Sequence, residues 1–303
     1  MKKNVLITGG TGFIGRYLTS LLIEKGYLVS ILSRTKYEDS NDISYFLWDV
    51  EKGIIDEQAV LEADIIINLA GENIGAKRWT KERKKAILDS RVQAIQLIYN
   101  VLKKHKKKLD VFVSASGIGI YGSKNSVKIC SEESPLADDF LGSTCQKWEE
   151  SADLISTLKI RTVKIRTGLV IGKNDGFLKK LVPIFRFKIG SPLGNGEQYM
   201  PWIHVEDLCS IYLAAIENET MVGAYNAVVK DGTTNYVFSK KLAKVFGYSL
   251  WLPNVPEFLI RLALGEMAQI VLKGQRVSSD KLTKTGFEFK FTNLGSALRD
   301  CLK

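Results

Sequence analysis

A glycine-rich loop near the start of the chain could bind the phosphates of a dinucleotide. Gly9, Gly12 and Gly15 are spaced as G-x-x-G-x-x-G, directly after an apolar run and directly before a helical pattern. Glycines at such a junction permit a tight turn, let the backbone approach a pyrophosphate and let the helix pack closely on the strand. The pyrophosphate would lie at the helix N-terminus, where unpaired N–H groups and the helix dipole favour an anion. The spacing in this context therefore predicts a dinucleotide site.

Two residues at the end of the second apolar run bear on which dinucleotide binds. About 20 residues past the glycines, NAD-binding proteins usually place a carboxylate on the ribose 2′-hydroxyl. Here the sequence has Ser33 and Arg34 instead. A guanidinium can pair with a 2′-phosphate through charge-assisted hydrogen bonds. The sequence therefore predicts NADP(H) over NAD(H), and the alternative is that Arg34 is merely solvated.

The elements that must position this loop alternate along the chain. Short β-rich runs alternate with longer helical patterns up to about residue 170, as in βαβ units. We expect strands at 3–8, 28–33, 45–48, 65–69, 111–114 and 161–165, and helices at 13–25, 81–103 and 144–156. This order predicts an α/β protein with a Rossmann-type, doubly wound parallel sheet.

The pattern changes beyond Gly172, where glycine-rich loops and mixed short elements follow. We expect an NADP-binding domain over residues 1–172, to which the segment at about 198–218 returns, and a smaller C-terminal α/β substrate region over 173–303. Open α/β sheets bind ligands at the carboxyl ends of their strands. The substrate is therefore expected between that edge and the smaller region.

Composition excludes several classes of protein. The chain has 303 residues, of which 45% are hydrophobic and 25% charged, as in a folded globular protein and unlike a disordered or collagen-like one. Its N-terminus does not resemble a signal peptide, and no apolar run reaches the ~18 residues of a membrane helix. We therefore expect a cytoplasmic protein with no membrane partner. The four cysteines lie far apart and predict neither a metal site nor a redox pair.

The formal net charge of +10 is compatible with an anionic partner. Part of the excess is the run K-K-H-K-K-K at 103–108, at the end of a predicted helix, where cations offset the helix dipole. Because no nucleic-acid-binding signature accompanies this run, we expect no nucleic-acid partner. The expected partner is a small-molecule substrate, and the expected assembly is a monomer or a homodimer.

Longer stretches of the sequence resemble one superfamily. The loop is followed by N-L-A-G at 68–71, S-A-S at 114–116 and R-T-G at 166–168, as in the extended short-chain dehydrogenases/reductases. The motifs G-E-N-I at 71–74, C-Q-K-W-E at 145–149, G-E-M-A at 265–268 and G-Q-R-V at 274–277 resemble one atypical branch of it. That branch comprises epimerase-family proteins, often labelled sugar-nucleotide epimerases or cell-division inhibitors, with a C-terminal domain of unknown function. The resemblance covers essentially the whole chain.

The resemblance implies a set of cofactor contacts. The pyrophosphate would contact Gly9, Thr11, Gly12, Phe13, Ile14 and Gly15. The adenine would contact Asp49 and Val50, and the ribose and nicotinamide would contact Leu69, Ala70 and Gly71. The strand-end residues Ser114, Arg166, Thr167 and Gly168 would complete the cofactor site, and Ser116 would be the active-site serine. For Asp49 the alternative is the capping of a turn, and for Ala70 it is packing.

The pair that usually performs proton transfer in this superfamily has no counterpart at its expected place. Typical members carry Tyr-x-x-x-Lys on the helix after the fifth strand, where the ammonium lowers the pKa of the phenol. Counting back from Glu149 puts the pair at Leu141 and Cys145, and neither can do this chemistry. We therefore expect an NADP-binding epimerase-, dehydratase- or reductase-like protein that acts on an unidentified small molecule, such as a nucleotide-sugar. The alternative is a noncatalytic NADP(H) sensor or protein-interaction module.

Four other residues near the expected nicotinamide remain candidates. Ser116, Tyr121 and Glu72 are the candidate catalytic groups, with packing as the alternative for Tyr121 and capping for Glu72. Arg91 is a candidate for binding a cofactor phosphate or an anionic substrate, with a structural ion pair as the alternative. Cys145 has no supporting histidine and is expected to be a buried small residue.

Overall fold

The fold is described by a computed structural model, which covers residues 2–122, 126–173 and 175–302. Its strands are β1 (Asn4–Thr8), β2 (Leu28–Ser33), β3 (Ile43–Asp49), β4 (Ile54–Ile55), β5 (Ile65–Asn68), β6 (Val111–Gly117), β7 (Ser126–Cys130), β8 (Thr162–Thr167), β9 (Leu169–Ile171), β10 (Trp202–His204), β11 (Gly223–Ala227) and β12 (Gln275–Val277). Its α-helices are α1 (Phe13–Glu24), α2 (Glu57–Glu62), α3 (Lys81–His105), α4 (Phe140–Ser156), α5 (Gly176–Arg186), α6 (Val205–Glu217), α7 (Asn235–Val245), α8 (Glu257–Leu264), α9 (Gln269–Leu272), α10 (Asp280–Thr283) and α11 (Leu294–Leu302).

One eight-stranded sheet organises the chain, in the order β11-β8-β6-β5-β1-β2-β3-β4. All neighbours are parallel except β3 and β4, which pair antiparallel. The chain proceeds from β1 outward through β2 and β3, and then returns to the other side of β1 at β5. This reversal is the switch point at which open α/β sheets bind ligands. The predicted Rossmann-type, doubly wound parallel sheet is therefore confirmed.

The central strands are apolar on both faces because helices cover both sides of the sheet. Along β1, Val5 and Ile7 face the core that α1 and α6 cover, and Leu6 faces the core that α3 and α4 cover. All three side chains are fully buried. Burial of each such side chain contributes roughly 1.5–3 kcal/mol. The sheet edge that carries the functional residues is thus held between two packed layers.

Most predicted elements agree with the structure, and the main differences have local causes. The helix predicted to begin at residue 144 begins at Phe140 instead. The reason is that the Asp139 carboxylate accepts a hydrogen bond from the Gly142 N–H at 2.8 Å, which caps the helix one turn earlier. Helix α2 has six residues, too few to show a helical period, and was not predicted.

The segment after residue 200 is tied to the C-terminal region by two buried side chains. The Asp207 carboxylate accepts hydrogen bonds from the N–H groups of Lys290 and Phe291, at 2.7 and 3.0 Å. His204 caps α6 through Nδ1, and its ring lies 3.9 Å from that of Phe291. These two residues therefore hold the regions together, while α6 packs on α1. The division at residue 172 stays a prediction.

All four cysteines are free, and three of them are buried: Cys145, Cys209 and Cys301. Within the three described ranges, no three His, Cys, Asp or Glu side chains gather where they could hold a metal ion. The helices of the same ranges include none with the length and apolar character needed to span a membrane.

Candidate functional site

The glycine loop between β1 and α1 has a geometry that side chains would obstruct. Gly9 has a φ of +70°, in the left-handed region that favours glycine, and its carbonyl accepts a hydrogen bond from the Gly12 N–H at 3.0 Å. A Cβ on Gly15 would lie 2.4 Å from the Gly9 oxygen and 2.6 Å from the Gly10 Cα. The loop therefore lies directly against the first turn of α1.

The start of α1 offers unpaired N–H groups to an anion. Its N-cap is Gly12, which has no side chain to accept hydrogen bonds, and its first turn contains no acidic residue. Thr11 and Gly12 are exposed, and Phe13 and Ile14 are half-buried. The positive end of the helix dipole thus opens to solvent beside the loop. A dinucleotide pyrophosphate fits this arrangement.

The end of β5 is attached to the loop through Thr8. The Thr8 hydroxyl donates to Asn68 Oδ1 at 2.7 Å and accepts from the Ala70 N–H at 3.1 Å. A Cβ on Gly9 would lie 3.1 Å from the carbonyl carbon of Leu69. The structure therefore brings Leu69, Ala70 and, next in the chain, Gly71 to the side of the loop, where a cofactor's ribose and nicotinamide were predicted to pass.

The residues predicted to set cofactor preference lie beside the same loop, because β2 pairs with β1 in parallel and Leu32 is opposite Thr8. Ser33 is buried, and its hydroxyl accepts from the Thr35 N–H at 3.2 Å. Arg34 is exposed, and no carboxylate in the described part of the chain pairs with it. Its guanidinium is thus available at the carboxyl edge of the sheet.

The predicted adenine contacts lie at the end of β3. Asp49 accepts a hydrogen bond from the Lys52 N–H at 3.1 Å and forms an ion pair with the Lys52 ammonium at 3.1 Å. These hydrogen bonds hold the pKa of Asp49 below its ordinary value. Val50 is half-buried against the α3 side of the core. Asp49 therefore caps a turn, which is the alternative that the sequence analysis gave for it. Its contact with adenine stays a prediction.

A buried network joins the ends of β6 and β8 to α4. Ser116 and Arg166 are register partners on adjacent strands. Glu149 of α4 reaches both: Oε1 accepts from the Ser116 hydroxyl at 2.7 Å and from Arg166 Nε at 2.8 Å, and Oε2 accepts from Arg166 Nη2 at 2.8 Å. Glu149 is 6% exposed and Arg166 5%. A bidentate pair of this kind satisfies two charges that neither residue could bury alone.

The network continues to Tyr121. The phenol oxygen accepts from Arg166 Nη1 at 2.9 Å, and the hydroxyl donates to Asn226 Oδ1 at 2.7 Å. Burial raises the pKa of Tyr121 to about 12. Burial alone would lower the pKa of Arg166, but the hydrogen bonds and charge of Glu149 raise it above its ordinary value. At neutral pH the phenol therefore keeps its proton and the guanidinium its charge.

The sequence analysis assigned Arg166 to the cofactor, whereas the structure directs its hydrogen bonds to Glu149, Tyr121 and the Glu132 carbonyl. The other strand-end residues are also engaged locally. The Ser114 hydroxyl donates to the Ala115 carbonyl at 3.0 Å and is buried. Thr167 donates to the Ile165 carbonyl at 3.3 Å, and a Cβ on Gly168 would lie 2.5 Å from the Pro201 oxygen. These residues shape the sheet edge, and their contact with a cofactor stays a prediction.

The two positions that sequence counting gave to the usual catalytic pair face the end of β6. A Cβ on Gly119 would lie 3.3 Å from Leu141 Cβ, and one on Gly117 would lie 3.6 Å from Cys145 Sγ. Burial raises the pKa of Cys145 to about 12, so its thiol is neutral, as expected of a buried small residue. The apolar side chain of Leu141 and the thiol of Cys145 thus stand where typical members of the superfamily carry the tyrosine and the lysine.

Glu72 and Arg91 flank the opposite side of the site. Glu72 Oε2 accepts from Arg83 Nη1 at 2.7 Å, so its carboxylate is held in an ion pair. The Arg91 guanidinium lies 4.8 Å from the ring centroid of Trp148, and a Cβ on Gly71 would lie 3.0 Å from its Cζ.

The Arg91 guanidinium is half-buried, and the described residues place no carboxylate within ion-pair distance of it. Its pKa is lowered by burial. It donates to the Ile87 carbonyl at 2.8 Å, but no carboxylate among the described residues forms an ion pair with it. The alternative, a structural ion pair, is therefore not found in the part of the chain that the structure describes. A buried cation without a counter-ion is costly, so its place beside Gly71 favours an anionic ligand there.

The sequence analysis did not identify Glu149 or Asn226 as site residues. Glu149 had a signal, because it lies four residues after Cys145 and so on the same helix face as Leu141 and Cys145. Asn226 had none, because its contact with Tyr121 depends on the placement of β11 beside β8. The candidate site residues thus lie along one edge of the sheet, with the glycine loop and Arg34 beside β1, β2 and β5 and the buried polar network at β6 and β8.

Comparisons with known proteins agree with this arrangement. The NAD dependent epimerase/dehydratase family matches residues 5–228, and a domain of unknown function, DUF1731, matches residues 255–301. The chain is 36% identical over 296 residues to the epimerase family protein YfhF of Bacillus subtilis, covering 97% of this chain and 96% of that protein.

Solved structures show the same fold. The human epimerase family protein SDR39U1, crystallised with NADPH, has a TM-score of 0.88 and 32% identity, covering 98% of both chains. The dTDP-glucose 4,6-dehydratase of Bacillus anthracis, in complex with NAD, has a TM-score of 0.76 and 19% identity, covering 99% of this chain and 95% of that one. The second likeness concerns the fold alone.

Proposed function

This chain belongs to the NAD dependent epimerase/dehydratase family, and on that premise we propose that it binds NADPH at the glycine loop and acts on a small molecule at the adjoining sheet edge. The observation that carries the proposal is the cradle at Gly9, Gly12 and Gly15. Backbone atoms lie where a Cβ on Gly15 would be, and the N-terminus of α1 has no capping side chain. A pyrophosphate can therefore approach the backbone and the helix dipole together.

Arg34 supports NADPH over NADH. It is exposed beside the loop, with no carboxylate of the described chain to neutralise it. A 2′-phosphate would supply that counter-charge, and hydrogen bonds between charged groups contribute roughly 1.5–3 kcal/mol. The human relative that was crystallised with NADPH supports the same assignment.

The substrate would lie over β6 and β8, beside the nicotinamide end of the cofactor. When bound, the nicotinamide supplies or accepts a hydride. Ser116 presents a hydroxyl that is oriented by its hydrogen bond to Glu149, and Tyr121 holds a proton between Arg166 and Asn226. Glu72 is the candidate base at the other side, where its carboxylate pairs with Arg83. We propose a nucleotide-sugar or similar small molecule as substrate, handled without the usual Tyr-x-x-x-Lys pair.

The cofactor site can be tested with one glycine substitution. Gly15→Ala should weaken NADPH binding at least tenfold, because the new methyl group would lie 2.4 Å from the Gly9 oxygen and push the loop off the helix. The matched control is Gly75→Ala, where a Cβ would lie 3.7 Å from Asn73 Oδ1, an ordinary contact, and φ is not positive. NADPH fluorescence titration measures both variants, and equal affinities would contradict the proposed cradle.

Turnover tests the catalytic part. A screen of nucleotide-sugars and carbonyl compounds with NADPH or NADP should reveal a reaction that Ser116→Ala slows tenfold or more, while NADPH affinity changes little. A reaction unaffected by substitution of Ser116, Tyr121 and Glu72 together would place the active site elsewhere.

The second candidate function is a noncatalytic NADP(H) sensor. Two observations favour it. Leu141 and Cys145, which cannot transfer a proton as the usual Tyr-x-x-x-Lys pair does, stand at the positions expected for that pair, and the buried Tyr121 hydroxyl already donates its hydrogen bond to Asn226. A sensor would bind NADPH, and Gly15→Ala would weaken that binding at least tenfold, as for an enzyme. It would show no product with any substrate of the screen, and its exposed surface would change on binding NADPH, as measured by hydrogen exchange.

A further inference from the structure

Helix α8 carries apolar side chains on the face that solvent reaches as well as on the face that packs. Ile260 is buried in a small core with Ala268 and Leu272. Phe258 and Leu262 lie one turn apart on the other face and are 67% and 73% exposed. A surface helix normally presents polar residues outward, and a helix that is apolar all round is normally buried. The outward face of α8 therefore has the composition of a covered surface.

A neighbouring loop adds further exposed apolar side chains. The Trp251 indole donates to the Lys188 carbonyl at 2.7 Å, which places its ring at the turn that carries Phe187 and Ile189. All three apolar side chains are exposed, Phe187 by 77%. Single exposed apolar residues are common on proteins, whereas a group of large ones marks an interaction surface.

Backbone hydrogen bonds join this loop to the segment that leads into α8. The Val255 N–H donates to the Pro192 carbonyl at 2.8 Å, and the Gly194 N–H donates to the Val255 carbonyl at 2.9 Å. Helix α8 begins two residues after Val255. The exposed side chains of the loop and of α8 thus belong to one local unit. We name them the apolar patch: Phe187, Ile189, Trp251, Phe258 and Leu262.

Cations lie among the apolar side chains of the loop. Residues 176–196 include four basic residues and no acidic one. Arg186 and Lys188 alternate with Phe187 and Ile189, and both are exposed. No carboxylate in the described part of the chain pairs with either cation. The loop therefore presents uncompensated positive charge beside apolar groups.

The charge balance at α8 is similar. Its acidic side chain, Glu257, pairs with Arg261, and Glu266 in the following turn pairs with a lysine of α3. Arg78 donates to the Leu262 carbonyl and has no carboxylate partner among the described residues. An anionic surface would therefore meet excess positive charge at both parts of the patch.

We propose that the apolar patch attaches this protein to the surface of a membrane that contains anionic lipids. Its aromatic and aliphatic side chains enter the boundary between headgroups and acyl chains, and Arg186 and Lys188 stay at the headgroup phosphates. A second copy of this chain fits less well, because a symmetric contact centred on the patch would bring these cations onto their own counterparts. The expectation of no membrane partner rested on the absence of a spanning segment, which attachment of this kind does not require.

Vesicle sedimentation tests the attachment. Vesicles of phosphatidylcholine and phosphatidylglycerol in equal parts should bind the unmodified chain, with an affinity that falls as salt is added. Vesicles of phosphatidylcholine alone should bind at least tenfold more weakly. Two double variants, Phe258→Ser/Leu262→Ser and Arg186→Gln/Lys188→Gln, should each weaken binding to the mixed vesicles at least tenfold.

Matched control variants change exposed residues outside the patch. Leu47→Ser/Ile54→Ser alters two exposed apolar side chains at the β3–β4 edge of the sheet, and Lys25→Gln/Lys36→Gln removes two exposed cations. Both should bind the mixed vesicles as the unmodified chain does. The patch variants should keep their affinity for NADPH, so failure of this proposal and failure of the proposed function are distinguishable.

Trp251 provides a direct readout of insertion. It is 67% exposed, whereas the other four tryptophans are buried: Trp48, Trp79, Trp148 and Trp202. Its emission should shift to shorter wavelength on the mixed vesicles and be quenched by lipids with brominated acyl chains. Trp251→Phe should remove this signal and keep most of the binding, because an aromatic ring remains.

Several results would overturn the proposal. They are an absence of binding to the mixed vesicles, unchanged binding of either patch variant, or an emission of Trp251 that does not shift. Equally tight binding to polyglutamate that the patch variants weaken would indicate an acidic protein surface as the partner. A dimer that Phe258→Ser/Leu262→Ser dissociates, measured by light scattering, would indicate a second copy of this chain.

Discussion

The Glu149–Arg166 pair should be essential for stability, and its environment lets the size of the effect be estimated. In Glu149→Gln the shape is kept, but Arg166, 5% exposed, loses the carboxylate that accepts at 2.8 Å from both Nε and Nη2. Removal of one partner of a buried pair costs about 3–5 kcal/mol, because it leaves an uncompensated charge. We therefore expect the free energy of unfolding in urea to fall by about that amount.

An exposed ion pair on another helix provides the control for this experiment. Glu257 of α8 pairs with Arg261, and the two side chains are 54% and 52% exposed. Exposed pairs contribute at most about 1 kcal/mol, so Glu257→Gln should have a small effect. The double variant Glu149→Leu/Arg166→Met removes both charges. Its free energy of unfolding should fall by less than the sum of the losses in the single variants Glu149→Leu and Arg166→Met. A loss below about 1 kcal/mol for Glu149→Gln, no larger than for an exposed pair, would refute the reasoning.

Three further predictions concern titration, reactivity and charge. Burial raises the pKa of Tyr121 from 10.0 to about 12, so the folded chain keeps a proton that the unfolded chain loses. The stability that this group contributes is complete below pH 10 and is lost as the pH rises to about 12. Urea unfolding curves of Tyr121→Phe should therefore show a smaller fall over this range, to which the buried Tyr212 phenol and the buried thiols still contribute. Burial also raises the pKa of the thiols of Cys145, Cys209 and Cys301 to about 12, so a thiol reagent should label half-buried Cys130 first, and mass spectrometry of the labelled peptides would reveal a different order. Neutralising five lysines at and just after the C-terminal end of α3 should leave NADPH affinity unchanged. The same change should remove any weak, salt-sensitive binding of DNA, measured by fluorescence anisotropy. A loss of NADPH affinity would contradict the placement of the cofactor. These lysines are Lys103, Lys104, Lys106, Lys107 and Lys108.

The place of the glycine loop between β1 and α1 could be predicted because its residues are contiguous. Gly9 and Gly12 lie between β1 and α1, and Gly15 lies in the first turn of α1. Arg34 directly follows β2, the next strand along the chain. Local spacing therefore determined both the loop and its neighbour. The apolar runs of the parallel strands and the periodicity of α1 and α3 fixed most element boundaries to within a few residues.

The polar network could not be predicted, because it depends on register between distant segments. Glu149 meets Ser116 across 33 residues of sequence, and Tyr121 meets Asn226 across 105. A one-residue change in the pairing of β6 with β8 would separate Ser116 from Arg166.

Paired titrations of NADPH and NADH test the central claim most directly. The dissociation constants of both cofactors would be measured by fluorescence for the unmodified chain, for Arg34→Ala and for Lys36→Ala, a nearby exposed cation that serves as the control. The account predicts that NADPH binds about tenfold or more tightly than NADH, that Arg34→Ala removes most of this difference by weakening NADPH alone, and that Lys36→Ala preserves it. Equal affinities of the two cofactors for the unmodified chain, or a preference that survives Arg34→Ala, would contradict it.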